Sequence, residues 1–234
     1  MPKTDKIREM FDGIAPEYDR FNHVASLGVD RSWRKRALKE IVEKEKVQQI
    51  LDVACGTGDF SIAIADAMNP ESHVVGVDLS EGMLAVMREK IAKEKLGPLL
   101  SCEQGDCSCL RFPDSSFDRV TIAFGIRNFE DRPKALKEIL RILKKGGKLV
   151  ILELSVPSNP VIGFFYRLYF TKITPGLGGR MSGNKEAYKY LPSSVLSFPG
   201  KKEWIATMNS CGYEQVRHKA FTFGICRMYS AIKP

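Results

Sequence analysis

The residues most able to do chemistry sit at the ends of apolar runs. Gln49-Ile50-Leu51-Asp52-Val53-Ala54 leads directly into Cys55-Gly56-Thr57-Gly58-Asp59. Gly56 and Gly58 let the backbone approach a ligand closely, and Asp52 can hold the loop or reach a ligand amino group. About twenty residues after the glycines, Asp78 closes His73-Val74-Val75-Gly76-Val77, where a carboxylate can accept hydrogen bonds from both ribose hydroxyls. A dinucleotide site would share this pair, but it needs a third glycine where a helix start meets the pyrophosphate. Here Gly56-Thr57-Gly58-Asp59-Phe60-Ser61 puts an acid at that place. A carboxylate there suits a cationic, phosphate-free ligand, and S-adenosylmethionine is both.

Two further strand ends extend the pattern. In Gly105-Asp106-Cys107, the Asp106 side chain and the Cys107 amide can read an adenine amino group and ring nitrogen, with a plain loop cap as the alternative for Asp106. Ala123-Phe124-Gly125-Ile126-Arg127-Asn128-Phe129 should face the reacting methyl group and its acceptor. Enzymes that methylate exocyclic amines of bases carry a polar-Pro-Pro-aromatic loop at this place, and this chain does not.

The elements that must position these residues follow from the apolar periodicity. The first 45 residues read as helical, with Arg31-Ser32-Trp33-Arg34-Lys35-Arg36-Ala37-Leu38 leading into Ile41-Val42 at helical spacing. Strands are expected at 49–54, 73–78, 99–103, 117–124 and 147–154, and helices at 60–68, 80–95 and 132–143, with Ser80 as an N-cap. Strands alternating with helices of this length make βαβ units and a parallel sheet covered on both faces. After Val156-Pro157-Ser158-Asn159-Pro160 an aromatic stretch intervenes, then a helix near 201–211 and two strands, 216–221 and 224–232. The expected fold is α/β, a Rossmann-like class I methyltransferase sheet of seven strands, mainly parallel, ending in an antiparallel hairpin. The expected organisation is one domain over 1–234, with an N-terminal helical cap at 1–45 and an inserted substrate- or membrane-facing segment at 156–198.

Charge is distributed unevenly. The net charge is +8, and residues 156–234 carry all of that excess, with 11 Lys and Arg against 3 Asp and Glu. A basic region with interleaved aromatics suits an anionic membrane or a nucleic acid, and an ordinary solvated face is the plain alternative. No apolar run approaches the roughly twenty residues that span a bilayer. With no signal-peptide pattern at the start, a cytoplasmic protein is expected. Six cysteines without paired CxxC spacing signal neither a metal centre nor a disulfide framework.

Taken together, Phe11-Asp12-Gly13-Ile14-Ala15-Pro16-Glu17-Tyr18-Asp19, the glycine loop, Thr121 to Asn128 and Tyr188-Lys189-Tyr190-Leu191-Pro192-Ser193-Ser194 resemble the ubiquinone/menaquinone biosynthesis C-methyltransferase family. The likeness covers nearly the whole chain and includes Phe198-Pro199-Gly200. It implies methyl transfer from S-adenosylmethionine to a ring carbon of a polyprenylated quinol, with cofactor contacts at Thr57, Asp78, Asp106 and Cys107 and Ala123 near the sulfonium. Demethylmenaquinol and a ubiquinone precursor fit the same description, and the likeness leans towards the first. A quinol carbon becomes nucleophilic when a neighbouring hydroxyl loses its proton. Arg127, directly or through a water, would stabilise the phenolate and Asn128 would orient it, with a loop salt bridge as the alternative for Arg127. Tyr18, His23, Tyr188 and Tyr190 are candidate acceptor contacts, each with a packing alternative.

A prenylated acceptor is dissolved in the membrane, which would give the basic last third a purpose. Val161 to Ile173, with Phe164, Phe165, Arg167 and Lys172, suits an interfacial helix peripheral to an anionic bilayer or a channel for the tail, or else a core helix. An RNA methyltransferase and a non-catalytic cofactor-binding module remain alternatives, although no nucleic-acid partner is expected. Oligomeric state, a homodimer included, stays open.

Overall fold

The computed structural model describes residues 3–173 and 185–234, with side chains described over 4–172 and 190–234. Seven strands form one sheet: β1 (Gln49–Val53), β2 (His73–Asp78), β3 (Leu100–Gln104), β4 (Phe117–Ala123), β5 (Leu143–Leu154), β6 (Glu214–Phe221) and β7 (Cys226–Ile232). Their order is β3-β2-β1-β4-β5-β7-β6. The first five strands pair in parallel, whereas β7 is antiparallel to both β5 and β6. The chain runs outward from β1 to β3 and then returns to β4 on the other side of β1. Strand order therefore reverses between β1 and β4, where an open α/β sheet leaves a ligand crevice beyond its carboxyl ends.

Alternate strand residues feed two cores, one on each face. Ile50, Val74, Val150 and Leu152 pack with Trp33, Ala37 and Ile41 of α3 (Val29–Ile41), Phe60 and Ile64 of α4 (Asp59–Ala67), and Leu84 and Met87 of α5 (Glu81–Glu94). Their neighbours Leu51, Leu149 and Ile151 face the other way, onto Leu136 and Ile139 of α6 (Arg132–Ile142) and Trp204 and Met208 of α9 (Lys201–Ser210). Nearly continuous apolar strands are what burial on both faces requires. Ser80 caps α5 as expected, its hydroxyl accepting from the Met83 amide at 3.1 Å.

Over the carboxyl ends lies the N-terminal cap, made of α1 (Lys3–Asp12), a 3-10 turn (Ala15–Glu17) and α2 (Tyr18–Ala25), before α3 runs down the sheet face. Two aspartates fasten it. Asp12 accepts from the Ser80 hydroxyl at 2.5 Å and the Gly82 amide at 2.9 Å, adding an anion to the α5 N-terminus. Asp19 accepts from the Thr57 hydroxyl at 2.5 Å and pairs with Lys90 at 2.6 Å.

Two expectations shift. Strand β5 begins at Leu143 rather than 147, with Gly146 at φ 74 inside it and a register irregularity against β4 between Phe117 and Arg119. The stretch around Tyr188 and Tyr190 is helical, α8 (Lys185–Leu196), although Pro192 lies inside it. Upstream, α7 (Pro160–Leu168) passes into a π-helical turn over Tyr169–Ile173.

Glycine at 58 is required by packing. Its φ is 83°, and a Cβ there would lie 2.5 Å from Met87 Cγ. Gly58→Ala should cost about 2–4 kcal/mol, from overpacking and a left-handed alanine together. A denaturant midpoint that leaves less than about 1 kcal/mol between variant and parent would refute this account of the loop.

Candidate functional site

The β1 loop is held by β2. Asp78 accepts from the Gly56 amide at 2.8 Å through one oxygen and from the Ser80 amide at 2.9 Å through the other. The Cys55 amide donates to the Val77 carbonyl at 3.1 Å. Burial pushes the Asp78 carboxyl up, while the Ser80, Gly56 and Leu79 amides act against that shift. Two non-glycine residues at the switch point adopt left-handed backbone, Ala54 (φ 55) after β1 and Phe124 (φ 61) after β4. Strain of this kind gathers where a site needs a particular geometry.

Two cavities meet at this point. The first, of about 340 Å³, is lined by Gly56, Asp78, Asp106, Cys107, Ala123 and Asn128, and is roofed by Thr4, Arg8 and Phe11 of the cap. The Thr4 hydroxyl closes the roof by donating to Glu130 at 2.5 Å. The second, of about 460 Å³, is mostly apolar, with Leu27, Trp33, Phe60, Phe165, Tyr166 and Leu191 in its walls and Arg127, Asp52 and Asn22 among its polar groups. Tyr18, Ala54, Gly56, Ala123 and Phe124 line both. The more polar of the two cavities therefore meets an apolar chamber at a wall formed by the ends of β1 and β4.

The second chamber is built around a buried ion pair. Arg127, in the 3-10 turn Ile126–Asn128, places Nη1 at 2.9 Å from Glu153 Oε1. Its amide donates to Glu153 Oε2 at 3.1 Å and its Nε to the Ser194 hydroxyl of α8 at 3.3 Å, while Nη1 also donates to the Phe124 carbonyl. Burial would lower the Arg127 guanidinium, but Glu153, the largest opposing influence, raises it above the usual arginine range. Three phenols gather near this charge. Burial pushes Tyr18, Tyr166 and Tyr190 up, and in each the strongest opposing influence is Arg127.

Several expected residues take other places. Gly58 lines neither cavity and serves the turn and the contact with Met87. The Thr57 hydroxyl is engaged by Asp19 while the residue borders the second cavity. Asn128 faces the first cavity, and its side-chain carbonyl accepts from the Tyr190 hydroxyl at 3.2 Å. His23 borders neither cavity and lies between Asp30 (3.0 Å) and Asp59 (3.4 Å). Tyr190 lines neither cavity and donates its hydroxyl to the Asn128 side chain, and the Tyr188 side chain lies outside the described residues.

Asp59 also changes meaning. Its carboxylate is matched by Lys90 at 2.6 Å and Arg34 at 3.0 Å, so it is not a free anion awaiting a cationic ligand. Burial acts to raise it, yet hydrogen bonding and charge from Lys90 and then Arg34 hold it below the usual carboxylate range. What it does is bind the cap to the glycine loop. Among residues the sequence did not single out, Glu153 carries the clearest signal, an acid inside the apolar run Val150-Ile151-Leu152-Glu153-Leu154 that can be buried only with a partner. Arg34 stacks over the Phe124 ring at 5.7 Å and Trp33 meets that ring at 6.2 Å, which fixes the shared wall from α3.

The comparison with known sequences decides the family, since the model of the ubiE/COQ5 methyltransferase family matches residues 1–233. The chain belongs to that family. It is 45% identical over 231 residues to the demethylmenaquinone methyltransferase of Bacteroides fragilis, covering 99% of this chain and 94% of that protein. It is 46% identical over 231 residues to the ubiquinone/menaquinone biosynthesis C-methyltransferase UbiE of Geobacter sulfurreducens, covering 99% and 90%. Among solved structures, a SAM-dependent methyltransferase of Thermotoga maritima aligns with a TM-score of 0.68 at 19% identity, covering 97% of this chain and 99% of that one, a likeness of fold.

Asp52 gives this site a pH signature. It is fully buried, its Oδ2 accepts from the Ser61 hydroxyl at 2.5 Å, and its Oδ1 has no partner among the described residues. Burial pushes its carboxyl up to about 7, against hydrogen bonding from Ser61 and the charge of Arg34. An unfolded aspartate releases its proton at about pH 3.9, so the ligand-free folded state binds more protons between the two values and loses stability as pH rises from about 4 to about 7. Asp52→Asn removes that slope. Urea unfolding at about pH 5 and about pH 8 should show the variant gaining on the order of 3 kcal/mol relative to the parent between the two; a constant difference would overturn the assignment.

Proposed function

We propose that this protein transfers a methyl group from S-adenosylmethionine to a ring carbon of a polyprenylated quinol, with demethylmenaquinol as the acceptor. The observation that carries this reading is the shared wall, where a cleft of mixed polarity suited to an adenosine meets an apolar chamber suited to a ring with a hydrocarbon tail. The names of the Bacteroides fragilis and Geobacter sulfurreducens relatives support it.

The residues present fit the cofactor. Asp78 would take the ribose hydroxyls on lone pairs left by its two amide bonds. Asp106 and the Cys107 amide would read the adenine, and the unpartnered Asp52 oxygen beneath the glycine loop would face the positive amino-acid end. When bound, S-adenosylmethionine supplies an electrophilic methyl group on a positively charged sulfur. The chain's own work is to bring the acceptor carbon to Ala123 and Phe124, keep water out, and favour the ionised ring hydroxyl. Arg127 does the last of these, since an acceptor phenol in this chamber meets the same guanidinium that opposes the upward shift of Tyr18, Tyr166 and Tyr190.

Methyl-labelled S-adenosylmethionine, incubated with purified protein and each quinol in turn, should leave label in the lipid extracted from the demethylmenaquinol reaction. Label in a ubiquinone precursor alone would reassign the acceptor, and label in RNA but in no quinol would sink the reading. Arg127→Lys keeps a charge for Glu153 but loses the guanidinium fork, so kcat should fall about a hundredfold with cofactor affinity unchanged. Turnover at the parent rate would remove Arg127 from the chemistry.

The acceptor's tail also suggests where the protein works. No described helix is long and apolar enough to cross a membrane. Exposed apolar side chains do rim the second cavity, with Leu27 (83% exposed) and Phe165 (62%) in its wall, Phe164 (63%) beside Phe165, and Phe223 (79%) next to the lining residue Thr222. With Arg167 in the last turn of α7, this rim suits the anionic cytoplasmic leaflet of a membrane, which the protein would meet peripherally. In flotation with anionic liposomes, the double variant Phe164→Ser and Phe165→Ser should be retained several-fold less than the parent. Equal retention would remove the membrane contact and leave the methyl-transfer assay unaffected.

A further inference from the structure

Tyr166 is 7% exposed and lines the apolar chamber, yet its hydroxyl is buried without a hydrogen-bond partner among the described residues. A buried phenol of this kind ordinarily has one, since leaving the group unmet costs about 1–3 kcal/mol. Packing fixes the ring. Gly163, one turn earlier, lies so close to the Pro157 carbonyl that a Cβ there would be 3.1 Å from it, and the Tyr166 ring stacks on Phe170 with centroids 4.9 Å apart. Gly163, Tyr166 and Phe170 share the buried side of α7 and its π turn, while Val161, Phe164 and Leu168 face outward. The phenol thus stands in the chamber wall with Arg127 near enough to act on it electrostatically.

We infer that the Tyr166 hydroxyl is a specificity-determining contact for the acceptor, hydrogen-bonding one oxygen of a 1,4-dihydroxyarene whose other oxygen faces Arg127. This rests on the quinol reading above and adds to it the reason a quinol, with two oxygens across the ring, is preferred to a simple phenol. A site built to meet a hydroxyl discriminates strongly against an analogue that lacks it, because its own polar group is then left unpaired.

Tyr166→Phe removes the hydroxyl and keeps the ring stack. In the ligand-free protein it should leave Tm unchanged or raise it, since it deletes an unsatisfied buried group. A clear fall in Tm would mean that the hydroxyl is already satisfied within the protein, and the inference would fail. The functional test pairs parent and variant with two acceptors of equal chain length, a prenylated 1,4-naphthohydroquinone and the corresponding 1-naphthol. The parent should favour the hydroquinone in kcat/KM by roughly tenfold or more, and in the variant that ratio should collapse towards one with cofactor affinity unchanged. A ratio unaltered by the substitution, with normal hydroquinone turnover by the parent, overturns this contact alone. Parent protein that methylates neither acceptor overturns the quinol reading and this contact with it.

Discussion

A guanidinium buried among apolar side chains can persist only if a carboxylate is buried with it, and the ends of β4 and β5 are organised around that requirement. Ala123 and Leu152 are register partners on neighbouring parallel strands, and beyond them the chain supplies Glu153 at the next residue on one side and the turn Ile126–Asn128 carrying Arg127 on the other. Glu153 holds both the Arg127 side chain and the Arg127 amide, so a single carboxylate fixes the turn and the charge it carries. Through Ser194 the same guanidinium tethers α8, and through the Phe124 carbonyl it braces the strained residue of the shared wall. Removing one partner of such a pair leaves an uncompensated charge, worth about 3–5 kcal/mol in comparable settings.

That pairing also determines what kind of chamber this is. An unpaired cation would draw water into a cavity meant for a hydrocarbon-tailed ring. Arg127 with Glu153 is neutral as a unit but still presents directed N–H groups and an oriented field, so the apolar walls can stay dry while one face remains able to favour a phenolate. Charge on the opposite side of the glycine loop is handled in the same way. Lys90 lies between Asp19 and Asp59; burial would lower its ammonium, and hydrogen bonds from the two carboxylates raise it above the usual lysine range. The cap that carries Tyr18 is thereby joined to the loop beneath it, so the roof and the floor of the site are set by one network.

Sequence patterning revealed the layered parts of this molecule well. The strand-helix alternation, Ser80 as a cap and the closing hairpin all follow from short-range periodicity, which the fold obeys because its central strands are buried on both faces. Residues at strand ends were also readable, since Asp78, Asp106 and Ala123 reach the site merely by closing parallel strands. Partner choice was harder to read. Asp59 looks like an open anion in sequence because Lys90 lies 31 residues away and becomes its neighbour only once α5 packs beside the loop. His23 and Asn22 are adjacent on α2, and helical rotation alone sends Asn22 into the chamber and His23 into the acid cluster. Nothing local announces Tyr166, whose inward direction is set by the close contact of Gly163 with Pro157.

The distribution of unmet polar atoms completes the physical picture. Of the six buried side-chain polar atoms without partners among the described residues, three, Arg34 Nε, Asp52 Oδ1 and Tyr166 Oη, belong to residues that line the same chamber. A core selected for stability alone would satisfy or delete such groups, because each is destabilising in the empty protein. Their convergence on one cavity, beside left-handed backbone at Ala54 and Phe124, is the pattern expected where interactions are held in reserve for ligands. The ligand-free fold carries that deficit because the glycine-loop network and the Arg127–Glu153 pair keep the site's shape without help from what binds there.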